Sequence, residues 1–275
     1  MSRSPKIQIR KGRLIVIGAI IGDCCGSIYE FENIKSEDFE LFSPGCSYTD
    51  DSILTVATAR TILDNGKYEQ NYKEFAHRYK CPVGGYGSGF NRWAFSSSTA
   101  PYNSCGNGSA MRVSPVGYAF NTAEDVLREA KRSAEVTHNH PEGIKGAQAT
   151  ALAIFMARTG KTKDDIREVI KKGFEYNLDR TCDQIRPTYE FEGTCQGTVP
   201  EAIIAFLDSI SFEDAIRKAV SLGGDSDTLA CITGGIAQAF YKSIPAEMVE
   251  RTMATVPKDL RDTIDEFNNK YKPQF

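Results

Sequence analysis

The sequence predicts an all-α fold, a compact orthogonal bundle of about a dozen helices in a single domain spanning residues 1–275. Three hydroxyl residues, Thr122, Thr162 and Ser211, each precede an acid by three positions, as in a capping box. Behind each of them, apolar residues recur at the spacing of one helix face. Strand patterns are missing, because no stretch alternates apolar and polar residues over six or more positions.

Most of the chain is assigned to helices by these signals. Pro245 and Pro257 stand where a first-turn proline would begin the last two of them. The exception is segment 81–117, which is rich in glycine, serine and asparagine yet also carries aromatic residues. A long segment of this kind is usually functional or disordered, and its aromatic residues favour an ordered functional loop. The predicted helices are 14–28, 50–64, 71–79, 122–138, 141–158, 163–175, 181–190, 195–208, 212–222, 227–241, 246–253 and 258–270.

Composition excludes several classes of protein. Hydrophobic residues make up 41% of the 275 residues and charged residues 25%, as in a soluble globular protein. A net charge of -3 provides no field for binding nucleic acid or an anionic membrane. The apolar run at 14–21 is too short to span a bilayer, and the eight cysteines contain no Cys-x-x-Cys pair. We therefore expect a cytoplasmic monomer with reduced thiols and a flexible tail at residues 1–12.

Two acidic helix starts, at 49–51 and 225–228, are the strongest candidates for chemistry. Helix capping explains one acid in each motif but not two, because paired carboxylates repel each other unless a cation lies between them. Carboxylate and hydroxyl oxygens are hard ligands, which favours magnesium, manganese or calcium over zinc. If the two helix starts meet in space, they could hold two cations.

Other motifs are ambiguous on their own. The glycine-rich segments 84–89 and 106–112 could be flexible linkers or backbone cradles for phosphate. They match neither a Walker loop nor a dinucleotide fingerprint. Glu30 follows a helix whose glycines allow close packing, and such a residue is normally a solvated surface group. His138 stands at a predicted helix end, where it could cap the helix or contact a ligand.

Taken together, these segments resemble the ADP-ribosylglycohydrolase family. The resemblance runs in the family's order from residue 14 to about 241, through the segments GAIIGDCCGSIYE (18–30), YTDDSILTVATA (48–59), GYGSGF (85–90), GNGSAMRVSPVG (106–117), SAEVTHNHPEGIKGAQATALAI (133–154) and GGDSDTLACITGGIAQA (223–239). One departure is Ser52, where the family often has threonine.

The resemblance implies an all-α fold with a binuclear magnesium or manganese centre beside an ADP-ribose cleft. It implies that Glu30 takes part in catalysis. The implied metal ligands are Thr49, Asp50, Asp51, Asp225, Asp227 and Thr228. The implied substrate contacts are Gly85, Gly87, Ser88, Gly89, Gly106, Asn107, Gly108, Ser109, Met111, Arg112 and His138.

The resulting hypothesis is a metal-dependent hydrolase that cleaves an α-linked ADP-ribosyl group from a serine or arginine side chain of a modified protein, or from a small conjugate. Its partner is the ADP-ribose moiety of that substrate, and no nucleic acid or membrane is expected to bind. Two alternatives stay open. One is a non-catalytic ADP-ribose binder or structural protein of the same fold, and the other is a metal-dependent nucleotide phosphoesterase.

Overall fold

Helices make up the secondary structure of residues 14–271, the part of the chain that the computed structural model describes. The predicted all-α class is confirmed, and the tail predicted at residues 1–12 lies outside the described residues. Only two isolated β-bridges occur within the described part, Thr49 with Val83 and Gly106 with Thr194. The helices are α1 (Ile17–Gly26), α2 (Asp50–Asp64), α3 (Tyr68–Arg78), α4 (Ser88–Ala94), α5 (Gly108–Met111), α6 (Ser114–Ala119), α7 (Ala123–Glu135), α8 (Pro141–Arg158), α9 (Lys163–Phe174), α10 (Cys182–Ile185), α11 (Cys195–Asp208), α12 (Phe212–Ser221), α13 (Ser226–Tyr241), α14 (Ala246–Thr255) and α15 (Lys258–Lys270).

Several helix boundaries follow from local chemistry in the sequence. Thr122, Thr162 and Ser211 are the N-caps of α7, α9 and α12, and each hydroxyl accepts a backbone N–H three residues later. Pro245 and Pro257 lie at the N-cap positions of α14 and α15, one residue before the first helical turn. The capping signals therefore located these helix starts to within a residue.

Several predicted boundaries were wrong. Helix α3 begins at Tyr68 rather than residue 71, and α7 ends at Glu135 rather than residue 138. The first helix begins at Ile17 rather than residue 14, because Val16 has a left-handed φ of 74° that a helix cannot contain. The helix predicted over 181–190 ends at Ile185, since Pro187 has no N–H to donate to the preceding turn. The segment 81–117, predicted to be a loop, contains α4, α5 and the start of α6, whose buried side chains stabilise short helices that local propensity alone would not.

The centre of the molecule is the contact between α1 and α13. All ten residues of α1 are buried, and α13 is buried from Ser226 through Ala239. Glycines permit this contact: a Cβ placed on Gly22 would lie 1.9 Å from the carbonyl oxygen of Ala230, and one on Gly234 would lie 2.1 Å from that of Gly18. The two helix backbones therefore touch directly, and α8, α11 and α12 pack around them.

This arrangement brings three helix ends to one place. Glu30 follows the C-terminal end of α1, Asp51 lies in the first turn of α2, and Asp227 lies in the first turn of α13. The positive ends of the α2 and α13 dipoles thus face acidic side chains, which is the favourable orientation.

Two further properties concern the surface and the thiols. Every helix within residues 14–271 is too short or too polar to serve as a membrane span. All eight cysteines are free thiols, and five of them are buried.

We predict that Gly22→Ala lowers the free energy of unfolding by roughly 3 kcal/mol or more, the upper end of the range for overpacking, because its methyl group would meet backbone atoms rather than a movable side chain. Urea denaturation monitored by circular dichroism measures the change. Gly173→Ala in α9 is the matched control, since nothing lies within 4 Å of its added Cβ. It should leave stability unchanged or raise it by up to about 1 kcal/mol. Equal effects in the two variants would contradict the close α1–α13 contact.

Candidate active site

A cavity of about 330 Å³ opens at the meeting point of these helix ends. Most residues that the sequence singled out line it, whereas Thr49 and Ser109 do not. Ser109 is fully buried and donates its hydroxyl to the carbonyl oxygen of Gly143 at 2.7 Å, away from the cavity. The lining residues among the predicted set are Glu30, Asp50, Asp51, Gly85, Gly87, Ser88, Gly89, Gly106, Asn107, Gly108, Met111, Arg112, His138, Asp225, Asp227 and Thr228.

One end of the cavity is a cluster of carboxylates. Glu30, Asp225 and Asp227 each offer an oxygen, and these oxygens all lie within 4.8 Å of one another. Asp51, which is 2% exposed, accepts a 3.4 Å hydrogen bond from the Thr228 hydroxyl through Oδ2. Its Oδ1 is buried without any hydrogen-bond partner. A buried carboxylate oxygen without a partner is costly, and a cation beside it would supply the missing interaction.

Burial and mutual repulsion raise the pKa values of this cluster. Burial, followed by the charges of Asp225 and Asp23, raises the pKa of Glu30 to about 7. Burial and then the neighbouring carboxylates raise the pKa values of Asp51 and Asp227 well above the ordinary aspartate value. A divalent cation would remove this penalty, because it stabilises the charged forms. The donor set of carboxylate and hydroxyl oxygens fits magnesium or manganese.

Asp23 is a buried carboxylate that sequence reasoning missed. It lies on α1 and accepts hydrogen bonds from the Thr49 N–H at 3.0 Å, the Thr49 hydroxyl at 2.8 Å and the Ser52 N–H at 3.0 Å, as well as from the Ser52 hydroxyl. Thr49 is in turn the N-cap of α2, accepting the N–H of Asp51 at 3.2 Å. Asp23 therefore fixes the start of α2 from a neighbouring helix. The only signal in the sequence was an acid within an otherwise apolar helix, which must be paired to be buried.

A second missed group joins Glu30 to the turn before α13. The Asn33 amide nitrogen donates to the carbonyl oxygens of Tyr29, Glu30 and Gly224 at 2.7, 3.0 and 2.9 Å, and Asn33 Oδ1 accepts the Gly224 N–H at 2.7 Å. Lys35 adds hydrogen bonds to the carbonyl oxygens of Tyr189 and Leu222. These contacts hold the backbone of Glu30 beside the turn that presents Asp225.

The other end of the cavity is glycine-rich and aromatic. Gly84 and Gly85 have φ values of 75° and 83°, in the left-handed region that favours glycine. Tyr86 and Phe90 line the cavity next to them, with ring centroids 5.2 Å apart. Phe191, which is 56% exposed, lies at the opening. This end offers backbone groups and ring faces, in contrast to the charged end.

Polar side chains connect the two ends. The Asn107 amide donates to Asp225 Oδ2 at 2.8 Å and to the Thr198 hydroxyl at 3.1 Å, which orients one carboxylate of the cluster. Arg112 is fully buried, with its guanidinium 4.0 Å from the centroid of the Tyr72 ring. His138 is also buried, and burial together with the charge of Arg112 lowers its pKa well below the ordinary histidine value. A neutral imidazole therefore faces the cavity.

Comparison with known proteins gives a consistent result. A family model described as ADP-ribosylglycohydrolase matches residues 5–274. The human protein named ADP-ribosylhydrolase ARH3 is 28% identical, over 85% of this chain and 86% of its own length. The protein of Pseudomonas putida (strain GB-1) named ADP-ribosylarginine hydrolase Tri1 is 25% identical, over 90% of this chain and 76% of its own length.

A solved structure described as an ADP-ribosylglycohydrolase-related protein complex has a similar fold. It superimposes with a TM-score of 0.70 at 23% identity, over 94% of this chain and 96% of that chain. At this identity the likeness shows that the two chains share their all-α architecture.

We predict that a divalent cation stabilises the protein through Asp51. Folding raises the pKa values of the cluster, so the folded state binds more protons than the unfolded state. The free energy of unfolding therefore falls as pH rises. In chelator, the midpoint of thermal unfolding should therefore fall as pH rises from about 5 to about 8, and Asp51→Asn should reduce that fall. At the higher pH, magnesium at about 100 times its Kd should add roughly 2.7 kcal/mol to the wild type and much less to Asp51→Asn.

The matched control is Asp164→Asn, which removes a first-turn acid of α9 whose side chain is 88% exposed. This variant should respond to pH and magnesium as the wild type does. Equal stabilisation of Asp51→Asn and the wild type by magnesium would contradict a cation site at Asp51.

Proposed function

This chain belongs to the ADP-ribosylglycohydrolase family, and we propose that it hydrolyses the bond joining an ADP-ribosyl group to a serine or arginine side chain of a modified protein, or to a small conjugate, releasing ADP-ribose. The observation that carries the proposal is one cavity with carboxylates at one end and glycine loops with aromatic rings at the other. The first end suits sugar hydroxyls held through cations, and the second suits a diphosphate and an adenine ring.

In this proposal, the ligands of two magnesium or manganese ions are Asp50, Asp51, Asp225, Asp227 and the hydroxyls of Thr49 and Thr228. When bound, the ions would neutralise the carboxylates and could orient the hydroxyls of the distal ribose. The Thr49 hydroxyl donates its hydrogen to Asp23 and accepts the Asp51 N–H, so it keeps a lone pair for a cation. The unpartnered Asp51 Oδ1 supports the same assignment.

Glu30 is the residue proposed to move the proton. Hydrolysis adds water to the anomeric carbon, breaks the bond to the acceptor atom and transfers a proton to that atom. A carboxyl group beside the acidic cluster, with a pKa that burial raises, suits this task. Glu30 is half-buried at the cavity wall, where the acidic cluster meets the opening. Its backbone carbonyl accepts a hydrogen bond from Asn33, which fixes the point from which the side chain extends.

The remaining contacts orient the substrate. The glycine segments 85–89 and 106–108 offer backbone N–H groups to the phosphates, while Tyr86 and Phe90 offer ring faces to adenine. Met111, Arg112 and His138 complete the wall on the side facing α7 and α8. We propose these as the substrate contacts, and leave out the Ser109 hydroxyl because it is bonded to Gly143.

We predict that Glu30→Gln lowers kcat for ADP-ribose release by at least about 100-fold, the lower bound for losing a general acid–base group. ADP-ribose binding, measured by calorimetry, should change little, because the amide keeps the size of the side chain. Glu32→Gln is the control, since Glu32 is an exposed acid two residues away. Near-normal turnover by Glu30→Gln would contradict the assigned role.

The acceptor is tested with a panel of serine-linked, arginine-linked and O-acetyl-linked ADP-ribose in the presence of magnesium. Release of intact ADP-ribose from one linkage, lost on adding chelator, is the expected result. Phosphate release would indicate the phosphoesterase alternative, and binding without turnover on every linkage would indicate a non-catalytic protein.

A further inference from the structure

A chain of hydrogen bonds runs behind the cavity wall from the guanidinium of Arg112 through Thr137 to the imidazole of His138. The Arg112 guanidinium donates to the Thr137 hydroxyl at 2.7 Å and to the Ser133 carbonyl oxygen at 3.2 Å. The Thr137 hydroxyl lies 2.7 Å from Nδ1 of His138. All of these side chains are buried, and Thr137 is 0% exposed.

The direction of the second hydrogen bond follows from an account of donors and acceptors. The guanidinium is always protonated and can only donate, so the Thr137 oxygen accepts from Arg112. Its own hydrogen can then go to Nδ1 of His138 or to the carbonyl oxygen of Ala134, which lies at 3.5 Å. That carbonyl already accepts the N–H groups of Thr137 at 3.1 Å and His138 at 2.7 Å, and at 3.5 Å it is a much weaker acceptor for the hydroxyl than Nδ1 at 2.7 Å. The hydroxyl hydrogen therefore goes to Nδ1.

From this geometry we infer that Arg112 and Thr137 hold His138 in the neutral tautomer that carries its proton on Nε2. Nδ1 accepts from Thr137 and cannot carry a proton in the same arrangement. The buried positive charge of Arg112 opposes a second proton on the ring. Thr137 is thus a positioning residue, which acts on the ligand only through His138.

The consequence lies at Nε2, which faces the loop that carries Gly106 and Gly108. A Cβ on Gly108 would lie 3.2 Å from Nε2, and one on Gly106 would lie 3.6 Å away. A side chain at Gly108 would crowd this edge of the imidazole, so the glycine loop keeps Nε2 accessible to a ligand in the cavity. With hydrogen on Nε2, His138 presents a donor and selects a ligand oxygen that accepts, such as a phosphate, ether or hydroxyl oxygen. The statement about the ligand oxygen rests on the proposed function, whereas the assignment of the tautomer does not.

The tautomer is tested by long-range ¹H–¹⁵N correlation spectra of the ¹⁵N-histidine-labelled protein without ligand. The chain has only three histidines, and His138→Gln assigns the resonances. We expect Nδ1 of His138 to resonate in the unprotonated range and Nε2 in the protonated range, across neutral pH. A proton on Nδ1 in the wild type would overturn the inference.

Thr137→Val tests the cause, since valine keeps the shape and removes the hydroxyl. The Nε2–H pattern should be lost or averaged, and ADP-ribose should bind roughly three- to tenfold more weakly, as for one lost hydrogen bond. Thr137→Ser should restore both. The matched control is Thr150→Val, because Thr150 is equally buried and its hydroxyl has no partner.

An unchanged His138 spectrum in Thr137→Val would also overturn the inference. Failure of the proposed function has a different signature. In that case the Nε2–H tautomer persists in the wild type, while no linkage releases ADP-ribose.

Discussion

Buried negative charge is the constraint around which the rest of the structure is arranged. Asp23, Asp51, Asp225 and Asp227 are all nearly inaccessible to solvent, and Glu30 is half-buried beside them. Carboxylates so close together repel one another and lose their hydration, so the site alone would favour protonation or unfolding. Two effects oppose this in the protein itself. The N-terminal ends of α2 and α13 direct their dipoles at the cluster, and Asp23 receives hydrogen bonds from two residues of the α2 start. Asp51 Oδ1 is left without a partner, and a divalent cation beside it would balance the charge of the cluster.

Such a cluster also demands a rigid scaffold, because small displacements change the distances between charges. The direct backbone contact of α1 with α13 supplies that rigidity: Gly22 and Gly234 leave no room for a side chain, so the two helices cannot slide without clashing. Hydrogen bonds of Asp23 hold the start of α2 against α1, and hydrogen bonds of Asn33 hold the turn before Asp225. Residues 17–35 therefore position both parts of the acidic cluster, the one at the start of α2 and the one at the start of α13.

How much could be predicted from sequence depended on the range of the interactions involved. Helix caps such as Thr162 act over three residues, and the sequence located them correctly. The paired acids were also visible, because repulsion between neighbours on a chain is a local property. Helix α4 was missed because its stability comes from burying Phe90 and Trp93 against distant parts of the chain. Asp23 and Asn33 were missed for the same reason: Asn33 bonds to a residue 191 positions away, and no local pattern marks such a pair.

The two ends of the cavity solve opposite electrostatic problems, and this difference explains why the histidine is neutral. At the acidic end, the carboxylates repel one another, and cations bound there would neutralise their charge. At the other end, the only nearby fixed positive charge among the described lining residues is Arg112, which is stacked on Tyr72. One of its terminal nitrogens donates to the backbone of α7 and to Thr137, whereas Nε and the other terminal nitrogen have no hydrogen-bond partner. A protonated His138 beside it would be a second buried cation without a counter-charge. Thr137 instead accepts a hydrogen bond from Arg112 and donates one to Nδ1 of His138. This leaves the neutral Nε2–H group as the donor at the cavity wall. A diphosphate could then be bound by oriented N–H groups beside the single cation Arg112, without a second buried positive charge at His138.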